Sequence, residues 1–298
     1  MLKKTRARLL KSIGIGLGVF LVIYIGFSIY GAKESMEIPR LPLAYAGEAL
    51  GVPYEDVSFY GRIDDVLLKG WFVPGQNSQV IIIIHGGFQN RIDDNVNTLG
   101  LTRDLVDKGY NILLYDLRGR GESEGKGQAL SYIEEDVGGA VDYLKYRGYG
   151  TDSIYILGFC SGAYSACIYA SQNDIGKVIL DGCFIDVMTM VARQAQSVGI
   201  PVFLEYVFWP GGLLFTHWMY GFNVVNPIDV VFKINCPILF IHEENDEFIT
   251  LDEVQRLFLA STNPANRIWE VSSANHSQGY KVHPQEYIEK VDTFLSIK

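Results

Sequence analysis

Val80-Ile81-Ile82-Ile83-Ile84 sets five β-branched residues in succession. Branching at Cβ stiffens χ1 and favours the extended chain. Five apolar residues without alternation leave neither face of a strand for water, so this strand must be covered on both sides. That condition is met in parallel sheets flanked by helices. The pattern recurs at Asn111-Ile112-Leu113-Leu114-Tyr115, at Ser153-Ile154-Tyr155-Ile156-Leu157, at Lys177-Val178-Ile179-Leu180, at Pro237-Ile238-Leu239-Phe240-Ile241 and at Ile268-Trp269-Glu270-Val271. Helical stretches are predicted between them at about 95–108, 132–147 and 164–170, with a closing helix over 286–297. Ahead of them, 54–61 and 66–74 alternate apolar and polar residues as an antiparallel hairpin does. The fold class is α/β, with right-handed crossovers and a mainly parallel, helix-covered sheet.

Ligands of such sheets bind at the carboxyl ends of the strands, and several polar residues fall there. The third apolar strand runs into Gly158-Phe159-Cys160-Ser161-Gly162 and then a helix of small residues. A strand, a tight Gly-x-X-x-Gly turn and a helix form a nucleophile elbow, with Cys160 at its apex. An acid and a histidine should follow in that order. Asp246 lies on the loop after Pro237–Ile241, and His276 on the loop after Ile268–Val271. Each signal is weak alone; three in order, each at a strand end, are strong together. Rivals exist for each role. Ser161, with its hydroxyl, is a rival nucleophile, but the register of the glycines leaves it to supply a backbone N–H. Asp181, ending an earlier strand, is the reserve acid. His283 competes with His276 but stands beside Pro284, too far along. His85, His242, Asp116 and Arg118 read as structural, and His217 as a packing or hydrogen-bonding residue of the segment described below. Cys167, Cys183 and Cys236 have apolar neighbours and read as small core residues.

From about residue 54 onward the chain resembles the α/β-hydrolase superfamily. The residues that carry the resemblance are the His85-Gly86-Gly87 turn, Asp116-x-Arg118-Gly119-x-Gly121-x-Ser123, the Cys160 elbow, Asp246 and His276. It is most similar to membrane-anchored bacterial hydrolases of the serine aminopeptidase-like and monoacylglycerol lipase-like group, with a cysteine at the elbow as in dienelactone hydrolase. The resemblance implies that Cys160 attacks a carbonyl carbon, that His276 moves the proton and that Asp246 holds the imidazole. It also implies an oxyanion hole from the backbone N–H groups of Gly87 and Ser161. No cofactor is expected, and no cysteine or histidine spacing suits a metal.

Two segments lie outside this frame. Residues 13–30 are free of charge and about long enough to cross a bilayer as a helix. Lys3, Lys4, Arg6, Arg8 and Lys11 precede them, which predicts a cytoplasmic N-terminus and an extracytoplasmic body. The expected division is a basic tail at 1–11, a single-pass membrane anchor at 12–31, a tether at 32–53 and a hydrolase domain at 54–298. A cleaved signal peptide is the alternative, but the bulky Ile29 and Tyr30 do not suit a cleavage site after Gly31 or Ala32. The second segment, 183–235, is rich in aromatic residues and too long for a simple connection. It reads as a helical cap broken by Pro201, Pro210, Gly211 and Gly212, able to wall an apolar pocket or to dip towards the membrane.

Five of the 25 Lys and Arg residues fall in that N-terminal tail, leaving 20 against 34 acidic residues, a charge of −14, for the rest. Such a body lacks the basic surface that nucleic acid requires. The expected protein is a membrane-tethered hydrolase that cleaves an ester, thioester or related acyl bond of an apolar substrate through Cys160, His276 and Asp246. The alternative is an inactive member of the fold that binds a lipid-like ligand in its capped pocket.

Overall fold

A computed structural model of the chain describes residues 2–297. Residues 1 and 298, the outer ends of the expected tail and of the expected hydrolase domain, lie outside the described residues. The first helix, α1 (Leu2–Met36), is followed by the hairpin β1 (Glu55–Tyr60) and β2 (Leu67–Val73), then by β3 (Val80–Ile84), α2 (Thr98–Asp107) and β4 (Asn111–Tyr115). The chain continues through α3 (Ile133–Tyr146), β5 (Ile154–Phe159), α4 (Ser161–Gln172) and β6 (Lys177–Asp181). Two helices follow, α5 (Val187–Ser197) and α6 (Val202–Tyr220). The last elements are β7 (Ile238–Glu243), α7 (Leu251–Ala260), β8 (Arg267–Val271), α8 (Gly279–Val282) and α9 (Pro284–Leu295).

The strands form one sheet in the order β1-β2-β4-β3-β5-β6-β7-β8. β1, β2 and β4 pair antiparallel, and every pairing from β4 through β8 is parallel. The run at 80–84 is covered on both faces. Val80, Ile82 and Ile84 pack into one apolar core with α3 and α4, whereas Ile81 and Ile83 pack into the other with α2 and α9. Burying each of these side chains contributes about 1.5–3 kcal/mol, so this strand is a principal source of stability. Its register also positions chemistry, because Ile84 pairs with Gly158 and Phe159 with Asp181. The carboxyl ends of β3, β5, β6 and β7 therefore meet at one edge.

Two expectations are corrected. The first concerns the stretch at 32–53, which is not a free tether. α1 continues to Met36, and the chain beyond it is pinned across the loop that follows β4. Ile38 N donates to Gly127 O at 2.9 Å and Ala129 N to Met36 O at 2.8 Å. Arg40 donates to the carbonyls of Gly121, Ser123 and Gly125 at 2.9, 2.5 and 3.1 Å. Ala32, Met36, Ile38 and Leu50 are buried, so ordinary apolar packing adds to these bonds. The second concerns the 183–235 segment. Pro201 does precede a helix, but α6 runs unbroken through Pro210, Gly211 and Gly212. An internal proline removes one helical hydrogen bond, and α6 is supported at that turn by α1, as Gly211 N donates to Tyr24 Oη at 3.1 Å. α6 thus lies along α1. The side chain of His217 is exposed rather than packed.

Candidate active site

Cys160 sits between β5 and α4 with φ 53° and ψ −114°, in backbone space that L-residues rarely occupy. Strain of this kind costs of order 1–3 kcal/mol and persists where surrounding structure enforces it. Here the enforcement is visible. Cys160 N donates to Asp181 O at 2.9 Å, and Cys160 O accepts from Tyr164 N at 3.0 Å. A Cβ on Gly158 would collide with the carbonyl of Gly162, and one on Gly162 with the carbonyls of Ile84 and His85. The two glycines let β3, β5 and α4 close around the turn, leaving Cys160 half-buried at its apex.

His276 and Asp246 arrive from the loops after β8 and β7. Asp246 Oδ2 lies 2.6 Å from His276 Nδ1, and since a carboxylate only accepts, the proton sits on Nδ1. The other carboxylate oxygen accepts from Phe248 N at 2.7 Å and Ile249 N at 2.9 Å. The Asp246 side chain is fully buried. Cys160 also bears on the imidazole electrostatically. Burial alone would push the imidazole down. The negative charge of Cys160, the hydrogen bond to Asp246 and the charge of Asp246 outweigh it and hold the pKa well above the ordinary range. The ring edge of Phe248 meets the imidazole at 5.6 Å between centroids, and Asn95 Nδ2 donates to His276 O at 3.1 Å.

Gly87 lies on the turn after β3, against the start of α4. A Cβ at 87 would stand 3.0 Å from Ser161 Oγ, so the two residues face one another. Ser161 is the first residue of α4, and its N–H has no carbonyl within the helix to bond. Its hydroxyl is buried without a protein partner beside Gly87, rather than against the imidazole. His85 braces this turn. Its Nδ1 donates to Gly86 O at 2.7 Å and its Nε2 accepts from Leu117 N at 3.1 Å. Both roles suit a neutral ring, and burial lowers the pKa to about 3. Arg120, also buried, donates to Gly87 O at 3.1 Å.

Other residues singled out in the sequence stand elsewhere. Asp116 pairs with Arg91 at 2.6 Å, and Arg118 with Asp136 at 2.7 Å. His283 Nε2 meets Ser272 O at 2.9 Å at the start of α9. Asp181 is close enough to bias the imidazole but is bonded to Tyr287, whose hydroxyl donates to Oδ2 at 2.7 Å. Among the described residues no cluster of ligating side chains suits a metal.

Sequence reasoning missed two features of the site. Gly182, with φ 62°, leaves room for the imidazole, and a Cβ there would stand 2.8 Å from its Cε1. The Asp-Gly pair ending β6 was the available signal. The second feature is a buried carboxyl pair, Asp181 and Glu243, on neighbouring strands beneath His276. Burial, then the charge of Asp181 and a hydrogen bond with it, drives Glu243 well above the usual carboxylate range. Burial also raises Asp181, to about 6, against the hydrogen bonds from Glu243 and Tyr287. Burial therefore favours the protonated form of Glu243 beside Asp181.

This architecture matches known proteins. Residues 79–206 match the family described as the alpha/beta hydrolase fold. A solved esterase from Pyrococcus furiosus, Pf2001, superposes with a TM-score of 0.73 over 88% of this chain and 97% of its own, at 24% identity. The chain has the α/β-hydrolase fold. Among curated relatives, YqkD of Bacillus subtilis, an uncharacterized protein, is 28% identical over 240 residues, 76% of this chain and 75% of its own. The lysophosphatidylserine lipase ABHD12 of Xenopus tropicalis is 26% identical over 229 residues, 69% of this chain and 55% of its own. An elbow, an acid and a histidine at the strand ends of this α/β-hydrolase sheet form an arrangement suited to acyl transfer.

Proposed function

We propose that this chain is a membrane-tethered hydrolase that cleaves an ester, thioester or related acyl bond through a covalent acyl-cysteine. The observation that carries the reading is His276, bonded to buried Asp246 at 2.6 Å and brought within electrostatic reach of Cys160 at a strained elbow. The sulfur attacks the carbonyl carbon of the substrate, and the resulting oxyanion is received by the N–H groups of Gly87 and Ser161. Preorganised donors of this kind are each worth about 3–4 kcal/mol in comparable sites. His276 then gives its proton to the departing oxygen or sulfur. In the second half-reaction it takes a proton from water, which attacks the thioester and returns Cys160. Asp246 fixes the tautomer and stabilises the imidazolium throughout.

The names of the esterase and lipase relatives support an acyl-ester substrate, and the charge-free run at 13–30 within α1 supports the tether. α1 is long and apolar enough to cross a membrane and is almost entirely unburied by the rest of the chain. The basic tail then orients the N-terminus to the cytoplasm and the hydrolase domain to the other side. Labelling the full-length chain with thiol-directed and serine-directed acyl probes, followed by mapping of the modified residue, tests the mechanism. Modification at Cys160, abolished in His276→Ala, is the expected result. Turnover that survives Cys160→Ala would overturn it.

A further inference from the structure

α6 is apolar nearly all round, and its only acidic or basic residues are Glu205 and His217. Helices of that character are found inside large cores or in lipid. This one is not inside a core. Phe203, Tyr206, Leu214 and Trp218 are 64, 61, 63 and 77% exposed, and within the helix only Gly211 and Thr216 are buried. Surface of this kind in contact with water is rare in soluble proteins and marks an interaction site.

What covers it follows from where α6 lies against α1. Phe208 stacks on Tyr24 at 5.3 Å between centroids and meets Phe27 at 5.4 Å. Gly211 is fitted so closely to Ser28 that no Cβ could be added, and its N–H bonds Tyr24 Oη. Small residues at the crossing and polar bonds across it characterise helix pairs in lipid. Further on, Tyr220 Oη donates to Glu37 Oε1 at 3.0 Å. The partners of residues 208, 211 and 220 thus climb α1 in order, from 24–27 through 28 to Glu37 just past its end. The two helices run parallel in register, and the start of α6 lies deepest along α1. Tyr24 is six residues inside the end of the charge-free run at Tyr30, about 9 Å at 1.5 Å per residue. Where α1 crosses the bilayer, Phe208 lies below the surface. Phe203 is deeper still, and Trp218 stands near the headgroups, where tryptophan is favoured.

We infer that α6 is embedded in the bilayer leaflet nearest the hydrolase domain, with Phe203, Tyr206 and Leu214 in acyl chains and Trp218 at the interface. This rests on α1 being a membrane anchor, and the experiment separates the two. Full-length protein is reconstituted into phosphatidylcholine vesicles brominated either deep or shallow on the acyl chain, and carbonate extraction reports whether α1 is inserted. Phe203→Trp should add emission that is quenched most by the deep bromines. The wild type should show a component, lost in Trp218→Phe, that is quenched most by the shallow ones. Emission at both positions open to aqueous iodide and untouched by bromine, from carbonate-resistant protein, overturns the inference and leaves the anchor standing. Emission shielded from iodide and bromine alike means that a second copy covers α6, and also overturns it. Protein extracted by carbonate and unquenched by bromine overturns both readings.

Discussion

The backbone of Gly182 passes directly against the imidazole of His276. A Cβ at 182 would stand 2.8 Å from Cε1 and 3.2 Å from Nδ1. The ring has no free side to move into, since Asp246, Phe248 and Cys160 all bear on it. Gly182→Ala is therefore expected to push the imidazole off line. Misplacement of about 1 Å can lower turnover about 10²-fold. The positive φ of 62° adds a stability cost of about 1 kcal/mol. Acyl-ester turnover should fall while the circular dichroism spectrum is unchanged. Wild-type turnover in this variant would contradict the assignment of His276.

Asp246→Asn offers a sharper test, because the amide can adopt only one orientation. Oδ1 of Asp246 accepts from Phe248 N and Ile249 N, so the carbonyl oxygen of Asn must occupy that place. Its NH2 then faces His276 Nδ1 and forces the proton to the other nitrogen, which faces Cys160. A base that already carries a proton towards the nucleophile cannot take one. Turnover should drop by about 10⁴-fold, as in triads trapped in the wrong tautomer, with little change in melting temperature. Activity within tenfold of wild type would instead assign the acid role elsewhere, with Asp181 next in line.

The strands were legible because their chemistry is local. Ile81 and Ile83 face one core and Ile82 the other, and an apolar run without alternation reports that arrangement directly. Cys160, Asp246 and His276 were legible through order and strand-end position, which survive translation into a linear chain. The carboxyl pair was not, because Asp181 and Glu243 end two different strands far apart in the chain and nothing in either neighbourhood marks their meeting. The continuity of α6 was not legible for a different reason. Pro210-Gly211-Gly212 has a strong intrinsic tendency to end a helix, and contacts with Tyr24 and Ser28, far away in sequence, override it.

Arg40 predicts how firmly the body is held to α1. Its guanidinium bonds four carbonyls of the loop that carries Gly121 and Gly125, and that loop also holds Arg120 against Gly87 O. Arg40→Ala leaves those carbonyls without their charged donor, and hydrogen bonds to charged groups are worth about 1.5–3 kcal/mol. Hydrogen exchange in the amides of 119–128 should accelerate at least tenfold, with a smaller loss of turnover transmitted through Gly87. Unchanged exchange would mean that the bonds of Met36 and Ile38 alone hold the segment.

The carboxyl pair under His276 predicts how stability changes with pH. Asp181 has an ordinary pKa of 3.8 and is raised to about 6 in the folded protein, chiefly by burial, while Glu243 is raised further by burial and by Asp181. Between those limits the folded state binds more protons than the unfolded state. Stability therefore falls as pH rises through the interval. The full contribution is present below about pH 4 and is lost progressively from about pH 4 to 6 for Asp181, continuing above pH 6 for Glu243. A shift of this size corresponds to about 3 kcal/mol at about 1.4 kcal/mol per unit. His276, raised above its unfolded value, slopes the same way and is unaffected by the comparison between variants. Glu243→Gln keeps a neutral donor towards Asp181 and removes one titrating carboxyl. Its stability relative to wild type should increase from pH 4.5 to pH 8, measured by denaturant unfolding of detergent-solubilised full-length protein. Parallel curves for the two proteins would show that Glu243 does not hold the proton.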